Sequence, residues 1–317
     1  MVTDEATTAF LAALRAAGGP PLWEQTVEAV RANIATVSRQ LAVAPADVHE
    51  VRDRRIAVAG GEIGVRVYTP RPDSSPLPLL VHYHGAGFVA GDLDTHDAIA
   101  RYYCKHADLI VVSVDYRLAP EHPFPTGLED CYAALRWAVE HAEELRGDAN
   151  HVAVTGDSAG GNLSAVMCQL SKARGGPKIA FQALVYPGVD FDDSTDYPSR
   201  AQFGGGDYFL SSRDMQWFRS LYLTDVARQV SDPRASPLRA DDLSGLPPAL
   251  VVTAGCDLLR DEGKAYADRL AQAGVRVEYR CFEHAIHACM SFALAIPAGL
   301  EMLNFVASRL RLALRGG

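Results

Sequence analysis

Short apolar blocks alternate with helical patterns along this sequence, and this alternation restricts the possible folds more than any other feature. The strand-like runs are residues 65–68, 77–83, 109–115, 152–155, 180–186, 249–253 and 275–282. The second, third, fourth and sixth runs are almost continuously apolar, as in strands that are buried on both faces. The helical patterns between the runs include residues 94–106, 127–144, 160–173 and 260–273. The alternation predicts an α/β fold whose mostly parallel sheet carries helices on both faces.

Three segments fall outside this alternation. Residues 1–45 are rich in alanine and helix-forming, with a break at Gly18-Gly19-Pro20-Pro21. Residues 190–225 interrupt the rhythm with a glycine run and an aromatic amphipathic stretch, which predicts an insertion between two strands. The last segment, residues 291–314, has helical periodicity, and we expect Pro297 to bend or interrupt that helix.

Charge and cysteine usage exclude several classes of protein. The chain has 30 Lys and Arg against 39 Asp and Glu, and it lacks a long basic run, which argues against nucleic acid as a partner. The six cysteines are scattered without a C-x-x-C pair, as expected for reduced thiols in a cytoplasmic protein. Asp4 and Glu5 stand where a signal peptide needs basic residues, and no apolar stretch reaches the length of a membrane span. We therefore expect a cytoplasmic protein without stable membrane insertion.

The run GDSAG at residues 156–160 is the strongest chemical signal, because an apolar strand precedes it and a helical pattern follows. A G-x-S-x-G sequence at such a turn exposes a strained serine, here Ser158, at the edge of the sheet. The following amide, that of Ala159, lies at a helix N-terminus, where unpaired donors and the helix dipole favour negative charge. The alternatives are a structural turn between strand and helix, or a phosphate-binding loop.

A nucleophilic serine needs a base and an acid that orients the base. Asp257 follows the strand at 249–253, and the carboxyl ends of parallel strands are where such sheets place their sites. Asp261 and Glu262 compete with it, but they begin a helix, where the dipole favours acidic side chains. We therefore favour Asp257 as the acid.

Two later histidines, His284 and His287, could act as the base, since the order Ser, Asp, His is the one expected of an α/β-hydrolase. His287 is favoured because it lies deeper in its loop and precedes the last helix. With Glu283 the two histidines could also bind a metal, but this is a weak signal, and we expect no metal.

The run HGAGF at residues 84–88 ends another apolar strand. Small residues in succession allow backbone N–H groups to turn toward one point, as in an oxyanion hole. Together with Ala159 this run could supply three donors, although an isolated H-G-x-G is more often an ordinary turn.

Five ordered motifs together resemble the hormone-sensitive-lipase family of α/β-hydrolases, and they are closest to its bacterial carboxylesterase branch. The motifs are HGAGF at 84–88, DYRLAPEHPFP at 115–125, GDSAGG at 156–161, GCDLLRDEG at 255–263 and AIH at 285–287. The resemblance runs from about residue 50 to 310. It implies hydrolysis of short- to medium-chain carboxylic esters through an acyl-enzyme intermediate, without a cofactor or metal.

The resemblance also implies roles for individual residues. These are Ser158, Asp257 and His287 as the catalytic triad, the N–H groups of Ala86, Gly87 and Ala159 as the oxyanion hole, His84, Gly85 and Asp157 as its support, and Phe88, Trp217 and Phe218 as the acyl pocket. Two departures stand out, because the family usually carries glycine at the positions of Ala86 and His284. Neither change deletes a catalytic group.

The family pattern further implies a helical cap in two pieces. Residues 1–45 and 190–225 would form the cap, and residues 46–189 and 226–317 the catalytic domain. Other functions on the same fold remain open, namely hydrolysis of a lactone, an amide or an acetylated small molecule, or ligand binding without turnover. A homodimer is compatible with the resemblance, whereas a dinucleotide-binding oxidoreductase would need a G-x-G-x-x-G that follows the first strand.

Overall fold

The computed structural model describes residues 2–72 and 76–315, and a single twisted sheet forms its centre. The strands are β1 Glu50–Val58, β2 Gly61–Thr69, β3 Leu77–Tyr83, β4 Ile110–Asp115, β5 Gly147–Asp157, β6 Phe181–Val185, β7 Ala249–Cys256 and β8 Val277–Ile286. Their order in the sheet is β1-β2-β4-β3-β5-β6-β7-β8. The pairs β1–β2 and β2–β4 are antiparallel and the remaining pairs are parallel. The predicted α/β class with a mostly parallel sheet is confirmed.

Helices cover both faces of this sheet. They are α1 Glu5–Ala17, α2 Val27–Leu41, α3 Asp97–Ala107, α4 Thr126–Glu140, α5 Ala159–Arg174, α6 Pro198–Phe203, α7 Ser212–Tyr222, α8 Val226–Gln229, α9 Arg260–Gln272 and α10 Pro297–Arg315. Short 3₁₀ turns occupy Leu22–Glu24, Pro237–Arg239 and Cys289–Phe292. None of the helices in the described ranges combines the length and the apolar character needed to cross a bilayer.

The core lies against the central strands, as their apolar sequences predict. Every residue of β7 is buried, and in β3 only Pro78 is partly exposed. Such strands are flanked by helices on both faces and cannot alternate polar and apolar side chains. The sheet therefore presents its functional groups at the strand ends rather than on its faces.

The strand β1 was missing from the prediction. It carries the sequence EVRDRRIAV, in which four consecutive positions are exposed. Its only neighbour in the described sheet is β2, so it is an edge strand with solvent on one side. Edge strands tolerate charged side chains, and for this reason β1 lacks the apolar pattern of the central strands.

The expectation that Pro297 bends or interrupts the last helix is wrong. Pro297 occupies the first position of α10 instead. A proline is well tolerated there, because the first N–H of a helix has no acceptor within the helix and the ring already fixes a helical φ. The residues before it form the short turn Cys289–Phe292 instead.

Residues 2–45 and 190–225 contain helices, and specific caps define them. The Asp4 carboxylate accepts the N–H of Thr7 at 2.7 Å and begins α1. At the start of α7, Ser211 and Asp214 form a reciprocal capping box. The break between α1 and α2 lies at the predicted glycine and proline run.

Candidate active site

Ser158 lies at the sharp turn between β5 and α5, with φ of 55° and ψ of −115°. This left-handed conformation is costly for a residue with a side chain, and it persists because the surroundings fix it. The Ser158 N–H donates to the carbonyl of Val185 at 2.9 Å. A side chain at Gly156 or Gly160 would overlap the backbone carbonyl of Tyr83. Both glycines of the motif are therefore required by the close approach of β5, α5 and β3.

A continuous chain of hydrogen bonds connects the three residues predicted as the triad. Ser158 Oγ is 2.9 Å from His287 Nε2, and His287 Nδ1 is 2.8 Å from Asp257 Oδ2. The imidazole and the carboxylate are buried, at 4% and 1% exposure. The structure thus brings together a hydroxyl, a base and an orienting acid from three distant parts of the chain.

The position of Asp257, the predicted acid, is fixed by the end of β7. Asp257 directly follows β7, and its Oδ1 accepts the N–H of Leu259 at 3.0 Å. The competing acids point elsewhere. Asp261 Oδ2 accepts the N–H of Ser199 at 2.8 Å, which ties the start of α9 to α6.

Glu262 is fully buried and serves the loop after β6. Its Oε1 accepts the N–H of Val189 at 2.8 Å, and its Oε2 pairs with Arg200 at 2.7 Å. Burial raises the pKa of this carboxyl to about 7, although the Arg200 pair acts in the opposite direction. The residue therefore anchors the inserted segment and does not contact His287.

The second candidate base, His284, lies outside this arrangement. It is exposed, and its Nδ1 is 2.7 Å from the carbonyl oxygen of Val2 in the N-terminal segment. Among the described residues, no group of three or more His, Cys, Asp or Glu side chains is arranged to hold a metal ion. The geometry therefore separates the two histidines, which the sequence placed only three positions apart.

The HGAGF run forms a loop with three successive left-handed residues. The φ angles are 77° at Ala86, 66° at Gly87 and 65° at Phe88. At Ala86 this conformation costs about 1 kcal/mol or more, because its Cβ crowds the following carbonyl. Within residues 2–72 and 76–315, the N–H groups of Ala86, Gly87 and Ala159 donate to no protein acceptor. All three are therefore free to bind an oxyanion, and the alanine in place of the usual glycine does not remove a donor.

The residues predicted to support this loop form a buried hydrogen-bonded cluster. The Gly85 N–H donates to Asp157 Oδ1 at 3.1 Å, and His84 Nδ1 lies 2.9 Å from the Gly85 carbonyl. The His84 ring stacks on Tyr116 at 4.2 Å between ring centres. Burial lowers the pKa of His84 to about 4, so its imidazole is neutral near pH 7.

Ser158 and His287 open into a cavity of about 530 Å³ with largely apolar walls. Side chains from the N-terminal segment and from α7 form much of its lining, among them Leu14, Trp23, Ile34, Val37, Met215 and Phe218. Phe88 and Phe218, two of the residues predicted for the acyl pocket, line the cavity. Trp23 and His96 were not predicted as lining residues. No local motif marks them, since only the packing of the N-terminal segment and of α3 brings them to the site.

Trp217 does not line the cavity, in contrast to the sequence prediction. Neighbouring residues of a helix point about 100° apart, so the side chains of Trp217 and Phe218 leave α7 in different directions. Phe218 shares its face with Met215 and Ser211, which also line the cavity. The Trp217 ring packs edge-to-face on Phe218, with 5.1 Å between ring centres.

A family profile described as the alpha/beta hydrolase fold matches residues 80–291 of this chain. The carboxylic ester hydrolase LipN of Mycobacterium tuberculosis is 50% identical over 247 residues, which cover 76% of this chain and 65% of that protein. This chain thus spans slightly less than two thirds of LipN. The carboxylesterase NlhH of the same species is 45% identical over 87% of this chain and 86% of its own length. An ethyl acetate hydrolase of Pseudomonas putida is 38% identical over 80% and 79% of the two chains.

Solved structures give the same result over the whole length. An ester-hydrolase from the metagenome of Lake Arreo superposes with a TM-score of 0.93 and 40% identity, and the match covers 100% of both chains. A hyperthermophilic esterase from the archaeon Pyrobaculum calidifontis gives a TM-score of 0.93 at 38% identity over 98% of each chain. The similarity thus includes the N-terminal helices, which the family profile does not cover.

Proposed function

Because this chain belongs to the α/β-hydrolase family, in its hormone-sensitive-lipase branch, we propose that Ser158, His287 and Asp257 act as its catalytic triad. The protein is an enzyme that hydrolyses carboxylic esters. The observation that carries the proposal is the hydrogen-bonded chain from Ser158 Oγ through His287 to Asp257, at 2.9 and 2.8 Å.

The proposed reaction begins when Ser158 Oγ attacks the ester carbonyl carbon and His287 Nε2 accepts the hydroxyl proton. The negative charge on the carbonyl oxygen is held by the three free N–H groups of the oxyanion hole, and Asp257 stabilises the imidazolium. The intermediate collapses, the C–O bond to the alcohol breaks, and His287 returns the proton to the leaving oxygen. Water then attacks the acyl-enzyme, with His287 again as base, and the acid leaves as Ser158 recovers its proton.

We propose uncharged esters of short to medium acyl length as substrates. A cavity of about 530 Å³ is in the range that holds small molecules, and its walls are mostly apolar. A relative named for ethyl acetate supports a small ester. Phe88 and Phe218 are the proposed acyl-pocket residues, and Trp217 is left out of that role.

We also propose that residues 1–45 and 190–225 act together as a cap on the catalytic domain. Supporting this, side chains of α1, α2 and α7 line the same cavity as Ser158. A cytoplasmic location and a homodimer remain proposals, which the cysteine usage and the family resemblance favour respectively.

The test uses p-nitrophenyl esters from acetate to palmitate with the wild type and Ser158→Ala. We expect a maximum between about four and eight acyl carbons, and loss of hydrolysis and of fluorophosphonate labelling in the variant. Hydrolysis that survives near the wild-type rate in Ser158→Ala would contradict the proposed triad. A preference for long, emulsified esters would contradict the proposed substrate class.

A further inference from the structure

Two serine hydroxyls line the largely apolar cavity without a hydrogen-bond partner in the part of the chain that the structure describes. Ser38 of α2 is buried, at 8% exposure, and Ser291 is partly exposed. Neither hydroxyl oxygen is enclosed by protein atoms, in contrast to the unpartnered Oδ1 of Asp214. Buried polar groups are as a rule hydrogen-bonded, and a hydroxyl can both donate and accept. Both serines are therefore free to bind a polar group of a molecule inside the cavity.

The other amide, hydroxyl and carboxyl side chains that the N-terminal segment and the start of α7 contribute to the lining are occupied. Asn33 Nδ2 donates to Gln25 Oε1 at 2.9 Å. Ser211 Oγ donates to Asp214 Oδ2 at 2.7 Å within the capping box of α7. Oδ1 of Asp214 has no partner among the described residues, but protein atoms enclose it, so a bound molecule does not reach it. The two free serine hydroxyls thus differ from the remaining polar lining of these segments.

Ser38 and Ser291 lie on two elements that pack against each other. Helix α2 contacts the turn Cys289–Phe292. Just beyond this contact, the Leu294 N–H donates to the carbonyl of Leu41, the last residue of α2, at 3.0 Å. Ser38 lies one helical turn before Leu41, and Ser291 lies just before Leu294. Both hydroxyls therefore belong to the same junction in the cavity wall.

The position of His287 assigns this junction to the alcohol part of the substrate. In the proposed reaction His287 Nε2 returns its proton to the leaving oxygen, so the alcohol must lie beside that nitrogen. Ser291 is in the turn that follows His287, and its N–H donates to the carbonyl of Ala288 at 2.9 Å. The proposed acyl-pocket residue Phe218, by contrast, lies against Gly87 of the oxyanion loop. The two hydroxyls are therefore on the side of the leaving group.

We propose that Ser38 and Ser291 form a polar subsite for the alcohol part of the ester, and that the preferred substrates are monoesters of diols or polyols. The second oxygen of such an alcohol, a few bonds beyond the ester oxygen, exchanges hydrogen bonds with the two serines, while the apolar walls contact the carbon chain. An alkyl chain at the same place covers both hydroxyls without satisfying them, which costs free energy. This inference rests on the proposed function, because it names a substrate class for that reaction.

The test compares pairs of butyrate esters in which a terminal hydroxyl replaces a methyl group at equal chain length. The pairs are hydroxyethyl with propyl, hydroxypropyl with butyl, and hydroxybutyl with pentyl butyrate. Titration of the released acid at constant pH measures kcat/KM for each ester. In at least one pair the wild type should hydrolyse the hydroxyalkyl ester with the higher kcat/KM. A wild type that prefers the alkyl ester in all three pairs would overturn the proposal.

Serine variants show whether the two hydroxyls cause this preference. Ser38→Ala and Ser291→Ala should each lower the ratio of hydroxyalkyl to alkyl kcat/KM by about threefold, and the double variant by about tenfold. Thr36→Ala is the matched control, because Thr36 lies on the same helix, does not line the cavity and donates its hydroxyl to the Ala32 carbonyl at 2.9 Å. It should leave the ratio unchanged. An unchanged ratio in the double variant, or equal losses on both esters of a pair, would contradict the proposed subsite.

A second series tests the side of the cavity. Propyl β-hydroxybutyrate carries its hydroxyl on the acyl part, and its kcat/KM relative to propyl butyrate should not respond to the serine substitutions. A response in this pair, in place of the hydroxyalkyl esters, would make the assignment to the alcohol wrong.

Thermal unfolding checks that the variants fold, as expected because neither serine hydroxyl bonds to another described residue. The preference of the wild type tests the proposal without any variant. Failure of the proposed function would be seen separately, as ester hydrolysis that survives in Ser158→Ala. Failure of this inference alone would leave the hydrolysis of alkyl esters dependent on Ser158.

Discussion

Two regions surround the substrate cavity, and they differ in how the chain builds them. One is the catalytic floor, formed by Ser158, His287 and the 84–88 loop at the ends of the central strands. The other is the apolar wall, formed by side chains of the N-terminal segment and α7. In the floor, most positions are fixed by backbone conformation and short hydrogen bonds, whereas in the wall they are fixed by apolar packing.

Polar contacts of α2 help to attach the wall to the rest of the molecule. Arg31 of α2 donates to the Val89 carbonyl at 2.8 Å and pairs with Glu121 at 2.7 Å. The carbonyl of Leu41, at the end of α2, accepts the N–H of Leu294 at 3.0 Å. Side chains in such a region can change without moving the reacting atoms. We therefore expect the floor to carry out the chemistry and the wall to select the substrate.

Floor and wall touch at one informative position. A Cβ at Gly87 would overlap the Phe218 ring of α7. The glycine thus allows a wall residue to lie directly on the oxyanion loop, so Phe218 is the wall residue placed to influence the reacting carbonyl most directly.

The largest effect should come from the floor. His287→Ala removes the proposed base, and we expect kcat to fall by about 10⁴-fold or more. His284→Ala is the matched control, because His284 is exposed and contacts Val2, so its kcat should stay within about twofold. Steady-state kinetics with p-nitrophenyl butyrate measure both. Comparable losses of kcat in the two variants would contradict the assignment of His287 rather than His284 as the base.

An intermediate effect is expected from the wall. Phe218→Ala enlarges the cavity beside Gly87 and should shift the preferred acyl chain to greater length, by about tenfold in relative kcat/KM between butyrate and octanoate esters. Trp217→Ala should leave this ratio unchanged, since Trp217 does not line the cavity. If Trp217→Ala changed the relative kcat/KM for the two esters as much as Phe218→Ala does, the direct contact of Phe218 with the cavity would not explain acyl-length preference.

A third effect concerns the pH dependence of stability, and it should originate beneath the floor. Burial lowers the pKa of His82 to about 3 and that of His84 to about 4, both below the ordinary value of 6.5. The unfolded chain therefore binds more protons in this range, so the free energy of unfolding should fall as the pH drops from about 6.5 toward 4. Each histidine contributes up to about 1.4 kcal/mol per pH unit.

Chemical denaturation at a series of pH values measures this slope, and His82→Asn should reduce it. Arg31→Ala serves as the wall control, because it loosens the wall without changing a buried histidine. It should lower stability about equally between pH 6.5 and 5.5, where Glu121, whose pKa Arg31 lowers to about 2, stays ionised in both proteins. An unchanged slope in His82→Asn would assign the acid sensitivity to other groups.

The sequence alone was enough for the α/β class and for the triad candidates. Continuous apolar blocks predict strands buried on both faces, and the GDSAG run predicts a strained turn, because both depend on local residue order. Asp257 could be selected for the same reason, since it follows an apolar strand. The edge strand β1, with its charged sequence, has no such local signature.

Other features were decided only by the tertiary structure. Local sequence favoured His287 over His284 only by its place in the loop, and the family resemblance implied His287. The fold separates the two because β8 ends at Ile286 and turns only His287 toward Ser158. Likewise, the helical periodicity of α7 could not show that Phe218 faces the cavity and Trp217 does not, because this depends on what the helix packs against. Ser38 and Ser291 both line the cavity but lie far apart in the chain, and no spacing rule connects them. Local order thus determines which chemical groups are available, and long-range packing determines which of them meet.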